Sequence, residues 1–163
     1  MRIVFGKGWP QGEVGSELKI DSFFEQKKFA IAGVSRNKKK FGGLIYKQMK
    51  EKGYDVIPIN PNIEEINGDT CYKDVASIPD DYDKLFITTP SSKTEGIVNQ
   101  AVEKGIKNIW IQQKSDTPKA LEIARNSNIN LIHGKCIFMF ADPVSSIHKF
   151  HRGLTKVFGK YPK

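Results

Sequence analysis

Phe29-Ala30-Ile31-Ala32-Gly33-Val34-Ser35-Arg36-Asn37-Lys38-Lys39-Lys40-Phe41-Gly42-Gly43 is the stretch on which the fold turns. Its first four residues form an unbroken apolar run, which fits a strand buried on both faces of a parallel sheet better than an alternating, half-exposed one. Gly33 ends the run, and Gly42 opens a segment of helical periodicity over residues 42–52. A strand, a glycine turn and a helix start in that order offer free backbone N–H groups and the positive end of a helix dipole to an anion. Gly33 permits close backbone approach and Ser35 carries a hydroxyl to donate. Arg36 with Lys38, Lys39 and Lys40 supplies positive charge. The plainer alternative is an exposed basic loop, and the pattern around the stretch argues against it.

Working outward, residues 54–60 read as a second strand, which closes a βαβ unit. A loop containing Gly68 and a short segment over 70–75 lead to a strand at 84–88. A helix follows over 91–104, stopped by Gly105. Residues 108–111 form the next strand. Thr117 and Pro118 then stand as N-cap and first residue of a helix over 118–127, and 130–132 is the last strand. Upstream, residues 1–15 hold four glycines and one proline with little periodicity and read as an arm, with a helix starting by residue 21. Strands alternating with helices imply a doubly wound, three-layer Rossmann-like α/β sandwich with a parallel sheet. A length of 163 residues with 39% hydrophobic content suits one domain over 1–163.

No apolar run approaches the roughly 18 residues of a membrane helix, and the N-terminus lacks a signal-peptide pattern, so a cytoplasmic protein without a membrane span is expected. Cys71 and Cys136 are far apart and outside any CxxC or Cys/His spacing, so they read as reduced thiols. His133, His148 and His151 sit in no pattern that supports catalysis or metal binding. The net charge of +8 is unevenly placed. Residues 1–53 hold 12 basic and 5 acidic side chains, 54–113 hold 5 and 10, and 114–163 hold 9 and 3. Such asymmetry suits an anionic partner.

The dinucleotide fingerprint GxGxxG would place its second and third glycines on Ser35 and Lys38, and it fails. The acidic residue that would hold a ribose at the tip of the second strand is absent, because that strand ends Asn60-Pro61-Asn62. NAD is disfavoured on both counts. NADP would want basic residues after that strand, where Glu64 and Glu65 stand instead.

A ligand with a phosphorylated ADP end suits the basic turn, and several further segments point the same way. These are Ala32-Gly33-Val34-Ser35, Gly53-Tyr54-Asp55-Val56-Ile57-Pro58-Ile59-Asn60-Pro61, Gly68-Asp69-Thr70-Cys71-Tyr72, Ile78-Pro79, Thr89-Pro90-Ser91, Gly105-Ile106-Lys107-Asn108-Ile109-Trp110-Ile111-Gln112, and Cys136. In this order and spacing the chain resembles the coenzyme A-binding protein family from about residue 22 to 140. The same fold forms the N-terminal domain of the succinyl-coenzyme A synthetase α subunit. The resemblance implies coenzyme A or acyl-coenzyme A as cofactor. It places Gly33, Val34, Ser35 and Arg36 around the pyrophosphate, with Lys40 and Gly42 completing that loop. Asn60 and Pro61 would lie beside the adenosine, Thr89, Pro90 and Ser91 across the cleft, and Gln112 at its wall. The chain departs from the family pattern at Gln113-Lys114, where a glycine is common, and at the lysine run, where a proline is common.

Residues 142–163 interleave Ile147, Phe150, Leu154, Val157 and Phe158 with Lys149, Arg152, Lys156 and Lys160, a basic amphipathic pattern that reads as a helix for docking on its own domain or a sister subunit. No RRM, KH or zinc-finger signature supports nucleic acid. The leading functional expectation is a stand-alone coenzyme A or acyl-coenzyme A binding protein without its own catalytic centre. The alternatives are an NADP-dependent oxidoreductase or a subunit of an acyl-coenzyme A ligase, and then a nucleotide-sensing DNA-binding regulator.

Overall fold

Residues 20–141 are described by the computed structural model. The arm expected at the N-terminus falls almost wholly outside them, and the basic helix expected over 142–163 falls wholly outside. In chain order the elements are β1 (Lys28–Ala32), α1 (Phe41–Glu51), β2 (Asp55–Ile59), β3 (Glu65–Ile66), β4 (Asp69–Thr70), β5 (Lys84–Ile87), α2 (Ser91–Lys104), β6 (Asn108–Gln112), α3 (Pro118–Asn126) and β7 (Asn130–Lys135). Five of the strands form one sheet in the order β2-β1-β5-β6-β7, with every neighbouring pair parallel. The expected doubly wound architecture is present.

Successive side chains of a strand point to opposite faces, so a strand covered on both sides must be apolar throughout. Phe29 and Ile31 of β1 join the core on the α1 side, with Ile45, Tyr46 and Met49, whereas Ala30 and Ala32 join the core beneath α2 and α3, with Val98, Ala101, Ala120 and Ala124. Trp110 of β6 is fully buried in the first core. Its ring meets Phe23, Phe24 and Phe140 edge-on or tilted at centroid distances of 5.5, 5.7 and 5.8 Å. Its indole N–H donates to Lys135 O at 3.2 Å.

Edge strand β2 contains Pro58, where a missing N–H removes no ladder bond. On its outer side the Pro58 carbonyl accepts the Tyr72 N–H at 2.9 Å, and the Asn60 N–H donates to Tyr72 O at 2.8 Å. The region read as a loop with a short segment over 70–75 instead begins with an antiparallel hairpin, β3 paired to β4. Its turn is Asn67-Gly68, both residues at positive φ (53° and 85°), as a two-residue hairpin turn demands. The last strand runs three residues further than 130–132 because an irregularity opposite Ile111 and Gln112 lets the pairing continue.

From β1 the chain moves outward to β2 on one side, and it later returns to place β5 on the other. The carboxyl ends of β1 and β5 therefore flank a point where strand order reverses, which is where open α/β sheets place their ligand crevice.

Candidate functional site

The turn after β1 is shaped by backbone packed against backbone. Gly33 adopts φ +97°, and a Cβ there would come within 2.8 Å of Thr88 O, which follows β5. A Cβ on Gly42 would lie 1.9 Å from Gly33 O, so the first turn of α1 rests directly on the turn that precedes it. The Gly33 N–H donates to Ile59 O at 3.2 Å, tying the turn to the end of β2. Asn37 folds the intervening loop. Its N–H donates to Ser35 Oγ at 3.1 Å, its Oδ1 accepts the Lys39 N–H at 2.9 Å, and its carbonyl accepts the Lys40 N–H at 3.0 Å. Sequence reasoning passed over Asn37, although an asparagine that closes such local bonds is a recognisable loop-maker.

Helix α1 begins after Lys40, whose side chain makes no capping bond. Helix α2 begins after Pro90, likewise without a side-chain cap. Helix α3 differs, because Thr117 Oγ1 accepts the Ala120 N–H at 3.1 Å. The two uncapped starts follow β1 and β5, on either side of the reversal point, where dipoles and first-turn N–H groups favour negative charge. Ser35 Oγ accepts from Asn37 and so keeps its own proton to donate.

The remaining expected site residues occupy distinct places. Val34 is buried beneath the turn, and Lys40, Pro61, Pro90 and Ser91 are exposed around the rim. Both ends of the Asn60 amide are in use: its Nδ2 donates to Val34 O at 2.7 Å and its Oδ1 accepts the Asn62 N–H at 2.8 Å. Arg36 turns to the hairpin, where Nε and Nη2 both donate to Glu65 O at 3.3 Å. Thr94, fully buried, gives its proton to Ser115 O at 2.6 Å, so the 3.4 Å contact between Thr89 and Thr94 has Thr89 as donor. Gln112 is buried in the wall with its Oε1 accepting the Ile137 N–H at 3.2 Å.

Cys71 is buried at the foot of the hairpin, 3.8 Å from Asn60 O. Burial pushes its thiol up, against the opposing pull of a backbone hydrogen bond from Asn60 and the Arg36 charge. Cys136 is half-buried and packs against the core on the α1 side. His133 lies at the α3 corner, 3.7 Å from Asp116 and 3.3 Å from Arg125 Nη2, with its pKa lowered chiefly by burial. No group of three metal-ligating side chains occurs among the described residues. No helix among them is long and apolar enough to cross a membrane.

Comparison with known proteins agrees with this geometry. A family model described as a CoA binding domain matches residues 27–142. Over 129 residues the chain is 30% identical to the α subunit of an ADP-forming acetate–CoA ligase II from Pyrococcus furiosus, covering 72% of this chain and 28% of that one. It is 33% identical to an ADP-forming acetate–CoA ligase from Methanocaldococcus jannaschii, covering 74% of this chain and 18% of that one. The chain thus spans between 18% and 28% of the length of these relatives. Among solved structures, a hypothetical protein from Pyrococcus horikoshii OT3 superposes with a TM-score of 0.75 at 26% identity, covering 86% of this chain and 99% of that one. A family model spanning most of the sheet, together with the ligase relatives, shows that this chain belongs to the CoA-binding domain family.

Proposed function

We propose that the chain is a cytoplasmic binding module for coenzyme A or acyl-coenzyme A, holding its ligand across the carboxyl ends of β1 and β5 without a catalytic centre of its own. The observation that carries this reading is the glycine turn on which the uncapped start of α1 rests, directly at the strand-order reversal of a CoA-binding domain. A diphosphate carries the charge that two uncapped helix starts and a serine hydroxyl favour. A size-matched solved relative supports a module of this length standing alone.

Isothermal calorimetry with coenzyme A, dephospho-coenzyme A, NAD and NADP tests it. Saturable heat with the coenzyme A forms and none with NAD is the expected result, and silence with both coenzyme A forms would sink the proposal. A second reading, one subunit of an ADP-forming acyl-coenzyme A ligase, is favoured by the ligase relatives. ADP release that depends on an acid, ATP and coenzyme A, seen only once a partner chain is added, would favour it.

A further inference from the structure

Arg36 leaves the phosphate turn toward the hairpin, away from the start of α1. Its Nε and Nη2 share the Glu65 carbonyl at 3.3 Å, and no ion pair among the described residues includes it. A guanidinium has five N–H donors in a rigid fork, so most of that fork, with its full charge, is left for a ligand. The carbonyl that orients it is itself held. Cys71 N–H donates to Glu64 O at 2.9 Å, Lys50 Nζ lies 3.2 Å from the Asp69 carboxylate, and the buried Tyr46 hydroxyl donates to the same carboxylate.

Asn60 at the tip of β2 has its amide engaged by Val34 O and Asn62 N–H. In nucleotide-binding sheets of this kind, that tip carries the acid that accepts ribose hydroxyls, or an arginine nearby takes a phosphate carried on the ribose. Here the acid is absent and Asn60 is committed. A fixed, unpaired guanidinium lies between the phosphate turn and the hairpin instead.

We infer that Arg36 reads the phosphate on the ribose of the ligand's adenosine, with the β3–β4 hairpin as the element that aims it and Asn60 as a positioning residue. The inference rests on the coenzyme A reading for its ligand class. The shared chemistry is a ribose monophosphate, on the 3′ oxygen in coenzyme A and on the 2′ oxygen in NADP.

Titrations of the wild type, Arg36→Gln and Arg36→Lys with coenzyme A and dephospho-coenzyme A decide it. The wild type is expected to prefer coenzyme A by about tenfold to a hundredfold, as for a charge-assisted contact. Arg36→Gln should bring that ratio below about 2, and Arg36→Lys should keep an intermediate ratio, because an ammonium retains charge but not the fork. A wild-type ratio near 1 with coenzyme A still bound overturns the assignment and leaves the coenzyme A reading standing. Equal loss of both forms in Arg36→Gln also overturns it, since that places Arg36 on the pyrophosphate or in the fold alone. Failure of both forms to bind the wild type overturns the coenzyme A reading, and silence with both adenosine bisphosphates as well overturns the assignment of Arg36. Adenosine 3′,5′-bisphosphate and adenosine 2′,5′-bisphosphate distinguish the sources. An Arg36-dependent preference for the 3′ isomer supports both readings, and one for the 2′ isomer supports the role of Arg36 while removing coenzyme A. Arg36 is exposed, so both variants should melt close to wild type; if Arg36→Gln does not fold, Arg36→Lys carries the test.

Discussion

At the scale of single residues, the glycine turn after β1 depends on atoms that are absent. Gly42 sits so close to Gly33 O that a methyl group there meets backbone, which cannot rotate aside as a side chain would. Gly42→Ala is therefore expected to destabilise the fold by roughly 1–3 kcal/mol, as overpacking does, and to weaken ligand binding because α1 must lift from the turn. Urea unfolding followed by calorimetry checks both parts, and an unchanged midpoint would show that the turn yields without penalty. Asn37 and Asn60 are the polar counterparts of the glycines: Asn37 joins backbone groups within the turn, and Asn60 ties the Val34 carbonyl of the turn to the end of β2.

At the scale of elements, the β3–β4 hairpin is small and pairs with no other strand. Its position is set by the latch of Tyr46, Lys50 and Asp69. The Tyr46 hydrogen bond is the main reason that the Asp69 carboxyl is held below its ordinary value, and burial is the main reason that the Tyr46 phenol is raised well above its own. A carboxylate with a lower pKa in the folded chain binds fewer protons there. The stabilisation it brings is thus present above the unfolded value of about 4 and is lost as pH falls through the folded one. Tyr46→Phe is expected to cost about 1 kcal/mol at neutral pH, less than is usual for a bond to a charged group, because Asp69 keeps Lys50 and solvent. The same variant should have a shallower loss of stability below about pH 4 than wild type. Denaturant midpoints measured from pH 7 down to pH 3 would show this, and parallel curves would mean that the latch contributes nothing. The hairpin was also the element least legible beforehand. Its strands are two residues each, too short for any periodicity, and the region therefore read as a loop although Asn67-Gly68 is a hairpin-turn pair.

At the scale of the whole molecule, two cores meet across one parallel sheet, and Trp110 anchors the one beneath α1. Trp110→Ala is expected to cost about 3–5 kcal/mol, a large part of the stability of a domain this size. An equilibrium urea curve tests it; a loss under about 1 kcal/mol would mean that Phe23, Phe24 and Phe140 close over the gap. The order of the strands makes the site a property of the whole chain. The turn after β1, the end of β2 and the segment after β5 converge only because the strand order reverses between β1 and β5 while the strands stay parallel.

By itself the sequence determined the alternation of strands and helices, since burial on both faces makes β1, β5 and β6 apolar apart from their end residues Lys28, Lys84, Asn108 and Gln112, and helix boundaries carry local signals. The start of α3 at Thr117 and Pro118 and the end of α2 at Gly105 were read from such signals, and both stand. The glycine turn and the coenzyme A family were legible for the same reason, because glycine and serine after a strand act through neighbouring atoms. Only the tertiary structure decided which side chains remain open to a ligand. Asn60 and Gln112 are taken up by backbone groups 26 and 25 residues away, and Arg36 is aimed by a carbonyl 29 residues on. Hydrogen bonds across such separations depend on how the strands are ordered in space, which no local pattern along the chain encodes.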